Sequence, residues 1–129
     1  MSATAPKDRK YSKSHEWFLP DGEIVTIGIS KFAADELTDI TFVDLPAVGA
    51  TVTAGKPFGV VESVKATSDL FSSVSGQVVE VNKRLVGEPE LVSNDSFADG
   101  WMIKVRIADA AALESLMDAD AYALMLSQG

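Results

Sequence analysis

Short segments in which apolar and polar residues alternate recur along the chain and end at glycine, proline or aspartate. A period of two residues predicts β-strands. The predicted strands are 17–19, 24–29, 40–45, 58–63, 77–81 and 101–107, with shorter pieces at 48–52 and 53–57. Pro20-Asp21-Gly22 provides a hairpin turn, and Pro46 ends the strand before it. Many short strands with glycine-rich turns favour a mainly β barrel or sandwich.

Three segments follow a helical pattern instead. Ser30 can cap a short helix over 31–37, and residues 89–92 are compatible with a single helical turn. The last segment, 109–129, has apolar residues at helical spacing and is predicted to be helical at the C-terminus. Those apolar residues are Leu113, Leu116, Met117, Leu124 and Met125.

The strand pattern also repeats within the chain. Segments 42–45 and 58–61 form one strand–loop–strand unit, and segments 78–81 and 101–104 form another. Two such units facing each other would bury both of their apolar faces. Trp17 and Trp101 are expected to belong to this core.

The length of 129 residues suits one domain, which we place at 11–129 after a flexible polar leader at 1–10. No apolar run is long enough to span a bilayer, and the leader lacks the apolar stretch of a secretory signal. We therefore expect a cytoplasmic protein. A mitochondrial location would require a transit peptide that has been removed.

The composition excludes several kinds of chemistry. The chain contains no cysteine, so it has no disulfide, thiolate metal ligand or cysteine nucleophile. His15 is the only histidine, which argues against a histidine metal cage or a catalytic triad and favours a structural hydrogen bond. The net charge of −8 divides into +3 over residues 1–13 and −11 over the rest. Such a surface disfavours nucleic acid and suits basic partner proteins.

Lys65 lies near a tight turn between two strand patterns. An exposed lysine there is open to a modifying enzyme, and acylation would convert its amine to an amide. A cofactor attached in this way could supply the redox-active sulfur that a chain without cysteine lacks. Exposed lysines in turns also serve solubility, and the residues alone leave both interpretations open.

The stretch Val61-Glu62-Ser63-Val64-Lys65-Ala66 resembles the V-E-S-V-K-A motif of glycine cleavage H proteins. The resemblance extends over about 11–126 with the same spacing. The other matching segments are Ser14-His15-Glu16-Trp17, Ile27-Gly28-Ile29, Phe42-Val43-Asp44-Leu45-Pro46 with Gly49, Ser68-Asp69, Val74-Ser75-Gly76, Val79-Glu80-Val81-Asn82, Pro89-Glu90-Leu91-Val92 and Asp99-Gly100-Trp101-Met102-Ile103-Lys104.

The resemblance implies a barrel-sandwich hybrid of the lipoyl/biotinyl type, with a short helix near 30–37 and C-terminal helices. It implies covalent lipoate on Lys65 as N6-lipoyllysine. The surrounding recognition motif is Glu62, Ser63, Val64 and Ala66. It also implies a cleft in which the arm rests, formed by Ser14, Glu16 and Asp69.

The implied role is that of a monomeric, non-catalytic carrier of the aminomethyl group of glycine. A pyridoxal-phosphate-dependent glycine decarboxylase would load it and a tetrahydrofolate-dependent aminomethyltransferase would unload it. A dihydrolipoamide dehydrogenase would reoxidise the arm, and a lipoate-attaching enzyme would install it. No metal, nucleic acid or membrane partner is expected.

Other carriers remain as alternatives. A biotin carrier normally has methionines beside its lysine, where this chain has Val64 and Ala66. A lipoyl domain of a 2-oxoacid dehydrogenase complex usually has aspartate before the lysine and continues into long linkers. An H-like lipoate-relay or regulatory protein is not separated from a glycine cleavage protein by these residues. An independent hydrolase is disfavoured because no catalytic pair stands out.

The sequence also departs from the family pattern at a few positions. Thr38 stands where the family usually has glycine, and Ser96-Phe97-Ala98 replaces a frequent Pro-Tyr-Gly. Phe32 and Glu36 lie in the short helix, where histidine is common. These differences affect the expected partner surface and leave the motif lysine in place.

Overall fold

Two antiparallel β-sheets form the centre of the protein. The computed structural model describes residues 6–107 and 111–128. Its strands are β1 (Lys10–Tyr11), β2 (Glu16–Asp21), β3 (Ile24–Ile29), β4 (Ile40–Asp44), β5 (Thr51–Val52), β6 (Pro57–Ser63), β7 (Thr67–Phe71), β8 (Gly76–Val81) and β9 (Ile103–Ile107). Its helices are α1 (Lys31–Leu37), α2 (Arg84–Gly87), α3 (Leu91–Asn94), α4 (Ala111–Glu114) and α5 (Ala119–Gln128).

The six-stranded sheet has the order β1-β2-β3-β9-β8-β5, and the three-stranded sheet has the order β4-β6-β7. Val43, Val61 and Leu70 of the small sheet are buried in one apolar cluster with Val25 and Val105 of the large sheet. The alternation of side chains along each strand places these residues on the inner faces. The predicted mainly β barrel-sandwich fold is therefore confirmed.

The two predicted strand–loop–strand units lie in different sheets. β4 pairs with β6 in the small sheet, and β8 pairs with β9 in the large sheet. The Val43–Val61 pair and the Val78–Val105 pair both contribute to the shared core. The internal repeat in the sequence thus corresponds to the two facing layers.

The helices agree with the prediction at α1 and differ from it later. The Ser30 hydroxyl accepts the N–H of Ala33 at 3.2 Å and caps α1, as expected. The short turn predicted at 89–92 is shifted to α3, and α2 was not predicted. The expected C-terminal helices are α4 and α5, and between them Met117 and Tyr11 exchange main-chain hydrogen bonds of 2.8 and 2.9 Å. Residues 108–110 and 129 of the predicted segment lie outside the described residues.

Two residues that the sequence predicts to lie in the leader, Arg9 and Lys10, make contacts with the folded part of the chain. Lys10 pairs with Phe18, and the buried Arg9 guanidinium lies 4.6 Å from the centre of the Trp17 ring. Arg9 also donates to the carbonyl oxygen of Phe97 at 2.8 Å. We propose that the domain begins no later than Arg9. The predicted flexibility of residues 1–5 falls outside the described residues.

The expected burial of the tryptophans is complete at Trp17 and partial at Trp101. The Trp17 indole donates to the carbonyl oxygen of Ser96 at 2.9 Å, so its polar edge is satisfied inside the core. Among the helices that the structure describes, none is long and apolar enough to cross a bilayer.

The C-terminal end of α1 contains backbone strain. Thr38 has φ +65° and ψ −137°, and its N–H donates to the carbonyl oxygens of Ala34 and Asp35, both at 3.2 Å. A side chain with a branched Cβ is disfavoured at positive φ, where glycine is tolerated. This explains physically why glycine suits the position and why threonine is an unfavourable choice.

Replacing Thr38 with glycine is expected to raise the free energy of unfolding by about 1 kcal/mol, because relief of the strain outweighs the greater freedom of glycine in the unfolded chain. Urea denaturation at neutral pH measures the change. Thr53→Gly is the matched control, because Thr53 is an exposed turn residue without positive φ. Thr53→Gly should leave stability unchanged or lower it. A Thr38→Gly protein that unfolds at lower urea than the wild type would contradict the strain argument.

Candidate functional site

The hairpin between β6 and β7 presents Lys65 at its tip. The Ser63 N–H donates to the carbonyl oxygen of Ala66 at 2.8 Å and closes the turn. The Ser63 hydroxyl accepts the N–H groups of Lys65 at 3.3 Å and of Ala66 at 3.1 Å. The N–H of Val64 donates to the carbonyl oxygen of Asp39 at 3.1 Å. The backbone of the turn is therefore held at several points.

The Lys65 side chain takes no part in these bonds. It is exposed, as are Val64 and Ala66 on either side, with Val64 at 68%. Within the described residues, the Lys65 ammonium has no ion pair or hydrogen bond. The other two motif residues, Glu62 and Ser63, are half-buried. The arrangement presents an accessible side chain on a turn whose shape does not depend on it.

The second predicted group is built around Glu16, which is only 2% exposed. One carboxylate oxygen accepts the hydroxyl of Ser12 at 2.7 Å and also the hydroxyl of Ser14. The other oxygen accepts the N–H of Phe71 at 3.2 Å. Burial raises the pKa of the Glu16 carboxyl, while these hydrogen bonds oppose the rise. Glu16 thereby joins β2 of the large sheet to β7 of the small one.

The third predicted residue, Asp69, lies on β7 between Lys65 and Phe71 and is exposed. Because Leu70 points into the core, Asp69 and Phe71 share the other face of the strand. The structure thus brings Ser14 and Glu16 into direct contact and links Glu16 to the strand that carries Asp69. The Asp69 carboxylate forms no hydrogen bond or ion pair with another residue that the structure describes.

Sequence reasoning missed Ser12 and the N–H of Phe71. The alternation Ser12-x-Ser14-x-Glu16 is the signal that could have suggested two hydroxyls beside one carboxylate. The Phe71 N–H carries no such signal, because its direction depends on the strand register.

An open cavity of about 230 Å³ lies beside Ser12. Its lining combines hydroxyl-bearing residues, apolar residues and one lysine: Tyr11, Ser12, Ser73, Ser115, Leu116, Met117 and Lys13. The combination of hydroxyls with apolar surface would suit a small group that carries one polar end.

His15 has the structural role that we predicted. It adopts φ +74°, and its Nδ1 lies 2.8 Å from the Tyr122 hydroxyl, which is 2.7 Å from the Ser30 hydroxyl. Burial lowers the pKa of His15. The residue therefore connects the N-terminal segment to α5 and to the cap of α1. In the part of the chain that the structure describes, no group of three or more acidic or histidine residues is arranged to hold a metal.

Comparison with known proteins gives consistent matches over nearly the whole chain. The family model described as "Glycine cleavage H-protein" matches residues 9–129. The glycine cleavage system H protein of Carboxydothermus hydrogenoformans is 50% identical over 126 residues, which cover 98% of this chain and 97% of that protein. The protein of that name from Bacillus mycoides is 50% identical over 123 residues, covering 95% and 97%.

A solved structure is similar as well. The crystal structure of a glycine cleavage system H protein from Mycobacterium marinum superimposes with a TM-score of 0.88 at 39% sequence identity. The match covers 95% of this chain and 99% of that chain. These similarities favour a glycine cleavage H protein over a biotin carrier or a lipoyl domain of a 2-oxoacid dehydrogenase complex.

The raised pKa of Glu16 predicts a pH-dependent contribution to stability. Between the unfolded-state and folded-state pKa values, the folded protein binds the Glu16 proton more tightly than the unfolded chain does. The Glu16 contribution is therefore fully present below the unfolded-state pKa and is lost as pH rises through the folded-state pKa.

Urea denaturation of the wild type and of Glu16→Gln checks this sign. The unfolding free energy of the wild type minus that of the variant should be greater at about pH 4 than at about pH 7. Glutamine keeps the size of the side chain and removes its titration. A difference that increases towards neutral pH would contradict the assigned direction.

Proposed function

Because this chain belongs to the glycine cleavage H-protein family, whose members are the lipoyl carriers of the glycine cleavage system, we propose that Lys65 bears the lipoyl group. The observation that carries the proposal is the exposed, unpaired Lys65 amine on a turn that other groups hold. When attached, the lipoyl group supplies the disulfide chemistry that a chain without cysteine lacks.

Attachment uses the chemistry of the lysine amine. After losing a proton to solvent, Nζ attacks the carbonyl carbon of an activated lipoyl donor. A C–N amide bond forms, the nitrogen gives up a second proton, and the bond between the acyl carbon and its leaving group breaks with the electron pair going to the leaving group. Since one ammonium becomes a neutral amide, the formal charge changes from −8 to −9.

The motif residues have separate parts in this step. Ser63 fixes the turn through its hydroxyl, and Val64 and Ala66 place apolar surface on both sides of the amine. Glu62, which pairs with Thr67, anchors the end of the hairpin in the sheet. Together they form the surface that a lipoate-attaching enzyme recognises.

Ser14, Glu16 and Asp69 border the resting place of the loaded arm. An aminomethyl group there carries a cationic amine, which carboxylates and hydroxyls can bind. The bond from Phe71 to Glu16 supports this assignment because it holds the strand of Asp69 against the segment of Ser14. The open cavity beside Ser12 supplies adjoining space for the arm.

The partners follow from the carrier role. We assign as partners a pyridoxal-phosphate-dependent glycine decarboxylase, a tetrahydrofolate-dependent aminomethyltransferase, a dihydrolipoamide dehydrogenase and a lipoate-attaching enzyme. The chain acts with them as a non-catalytic monomer in the cytoplasm. Its net charge of −8 favours basic docking surfaces on these enzymes.

Lys65→Arg is expected to abolish lipoylation, because arginine keeps the charge but offers no amine that forms this amide. Intact-mass measurement after co-expression with a lipoate ligase detects the added group. The matched control is Lys56→Arg. Lys56 is also exposed, but it lies immediately before the first residue of β6, at the end of the strand away from the motif. The control should be modified like the wild type. Lipoate found on the Lys65→Arg protein would refute the assignment.

Glu16→Gln and Asp69→Asn are expected to shorten the lifetime of the aminomethyl-loaded protein. Loss of the exposed Asp69 carboxylate weakens the hold on the cationic amine directly, and loss of the buried Glu16 carboxylate displaces the Ser14 hydroxyl and the β7 strand that it holds. Ammonia release should accelerate by about threefold or more in each variant. The measurement is ammonia release over time from purified, loaded protein. Each variant is loaded only after intact-mass measurement shows that its lipoylation at Lys65 has reached completion, so that differences in the rate of attachment do not enter the decay measurement.

Asp44→Asn provides the control for this decay assay. Asp44 is also an exposed acid of the small sheet, but it lies on β4, two strands from Asp69. Its variant should decay at the wild-type rate. If Glu16→Gln and Asp69→Asn decay no faster than Asp44→Asn, the arm is not protected by the proposed cleft.

A further inference from the structure

The strand β7 forms one edge of the three-stranded sheet and begins directly after the Lys65 turn. The turn defines which main-chain groups of β7 face its partner β6. Because the Ala66 carbonyl oxygen accepts the N–H of Ser63, the main-chain groups of Ala66 point towards β6. Main-chain groups alternate in direction along a strand. The N–H and C=O groups of Ser68 and Leu70 therefore also point towards β6, and those of Thr67 and Asp69 point away from it.

The far end of β7 gives the same result independently. The N–H of Phe71 points away from β6 and donates to Glu16. Between the two ends, Thr67, Ser68 and Asp69 pair in unbroken register with β6, and the irregularity falls near Gly59. The N–H groups of Thr67 and Asp69 therefore point to the open edge, where they donate to no other described residue.

We propose that this open edge of β7 is a docking site for an extended segment of the enzyme that acylates Lys65. The segment adds a strand to the small sheet through hydrogen bonds with the main chain of Thr67 and Asp69. This inference rests on the proposed function of Lys65. Glu16 limits the site at Phe71, because its carboxylate already occupies the position of an incoming carbonyl oxygen.

The geometry of attachment points to the acylating enzyme as the occupant. Before modification, the reactive Nζ is separated from the hairpin only by the lysine side chain. The enzyme must therefore bind the hairpin itself. A partner of the finished carrier can bind farther away, because the attached arm extends the reach.

Charge defines the chemistry of the incoming segment. On the outer face of the small sheet, Asp44 and Asp69 flank Val60 in one cross-strand row, and Glu62 lies in the next row. None of these three carboxylates has an ion pair among the described residues. The incoming strand should place a basic side chain opposite Asp69.

The edge can be blocked without breaking the hairpin. In Asp69→Pro, the ring replaces an N–H that the β6–β7 ladder does not use, and edge strands tolerate proline at such positions. Asp69→Ala removes the same carboxylate but keeps the N–H. The difference between these two variants therefore reports on the main-chain contact alone. Thermal unfolding and circular dichroism show whether both variants fold.

Lipoylation rates with a purified lipoate ligase and intact-mass detection provide the first test. Asp69→Pro should have a kcat/KM about tenfold lower than Asp69→Ala, since it loses a main-chain bond and blocks the approach of the strand. Equal rates in the two variants, with wild-type acylation at Lys65, would overturn the docking site and leave the proposed function intact. A wild type that is not acylated at Lys65 would refute both.

Hydrogen–deuterium exchange gives a second test that does not depend on how proline affects folding. The Lys65→Arg protein is mixed with the ligase, because arginine at this position cannot be converted to the amide and the complex therefore does not go on to product. The amides of Thr67 and Asp69 should exchange more slowly in this complex than in the free protein. Unchanged exchange at both amides, with protection elsewhere in the hairpin, would place the enzyme on another surface.

Discussion

The burial of the small sheet against the large sheet determines where Lys65 lies. Val61 and Leu70 point into the shared core from the two strands of the hairpin. A shift of one residue in either strand would expose its buried side chain and turn polar residues inward, so the register is strongly specified. With the register set, the turn that contains Lys65 must project beyond the core. The exposed amine is thus a consequence of apolar packing several residues away.

Desolvation acts in opposite directions on the two titratable residues of the N-terminal turn. Burial favours the neutral form of each, so the pKa of Glu16 rises and that of His15 falls. His15 contacts Tyr122, while Glu16 contacts Phe71. His15 therefore holds the C-terminal helix α5, and the next residue, Glu16, holds the small sheet. A segment of a few residues joins three parts of the fold.

Patterns in the sequence were informative where local spacing determines structure. The alternating segments predicted β3 and β6 closely, and Ser30 marked the start of α1. The position of the break between α4 and α5 was not predicted, because it arises from pairing of Met117 with Tyr11, which is distant in sequence. The motif singled out Lys65, whereas the hydroxyls around Glu16 and the open edge of β7 required knowledge of register and tertiary contacts. Local patterns do not contain that information.

The turn at Ser63 has a further consequence for a population of carrier molecules. All of the hydrogen bonds that shape it use main-chain groups and the Ser63 hydroxyl, and none uses the Lys65 side chain. The fold therefore does not require the Lys65 side chain to be modified, and the unmodified chain is already folded when a modifying enzyme meets it. If Lys65 carries the group, as proposed, the amount of folded protein and the amount of working carrier are separate quantities, and only the second limits how fast the group is carried.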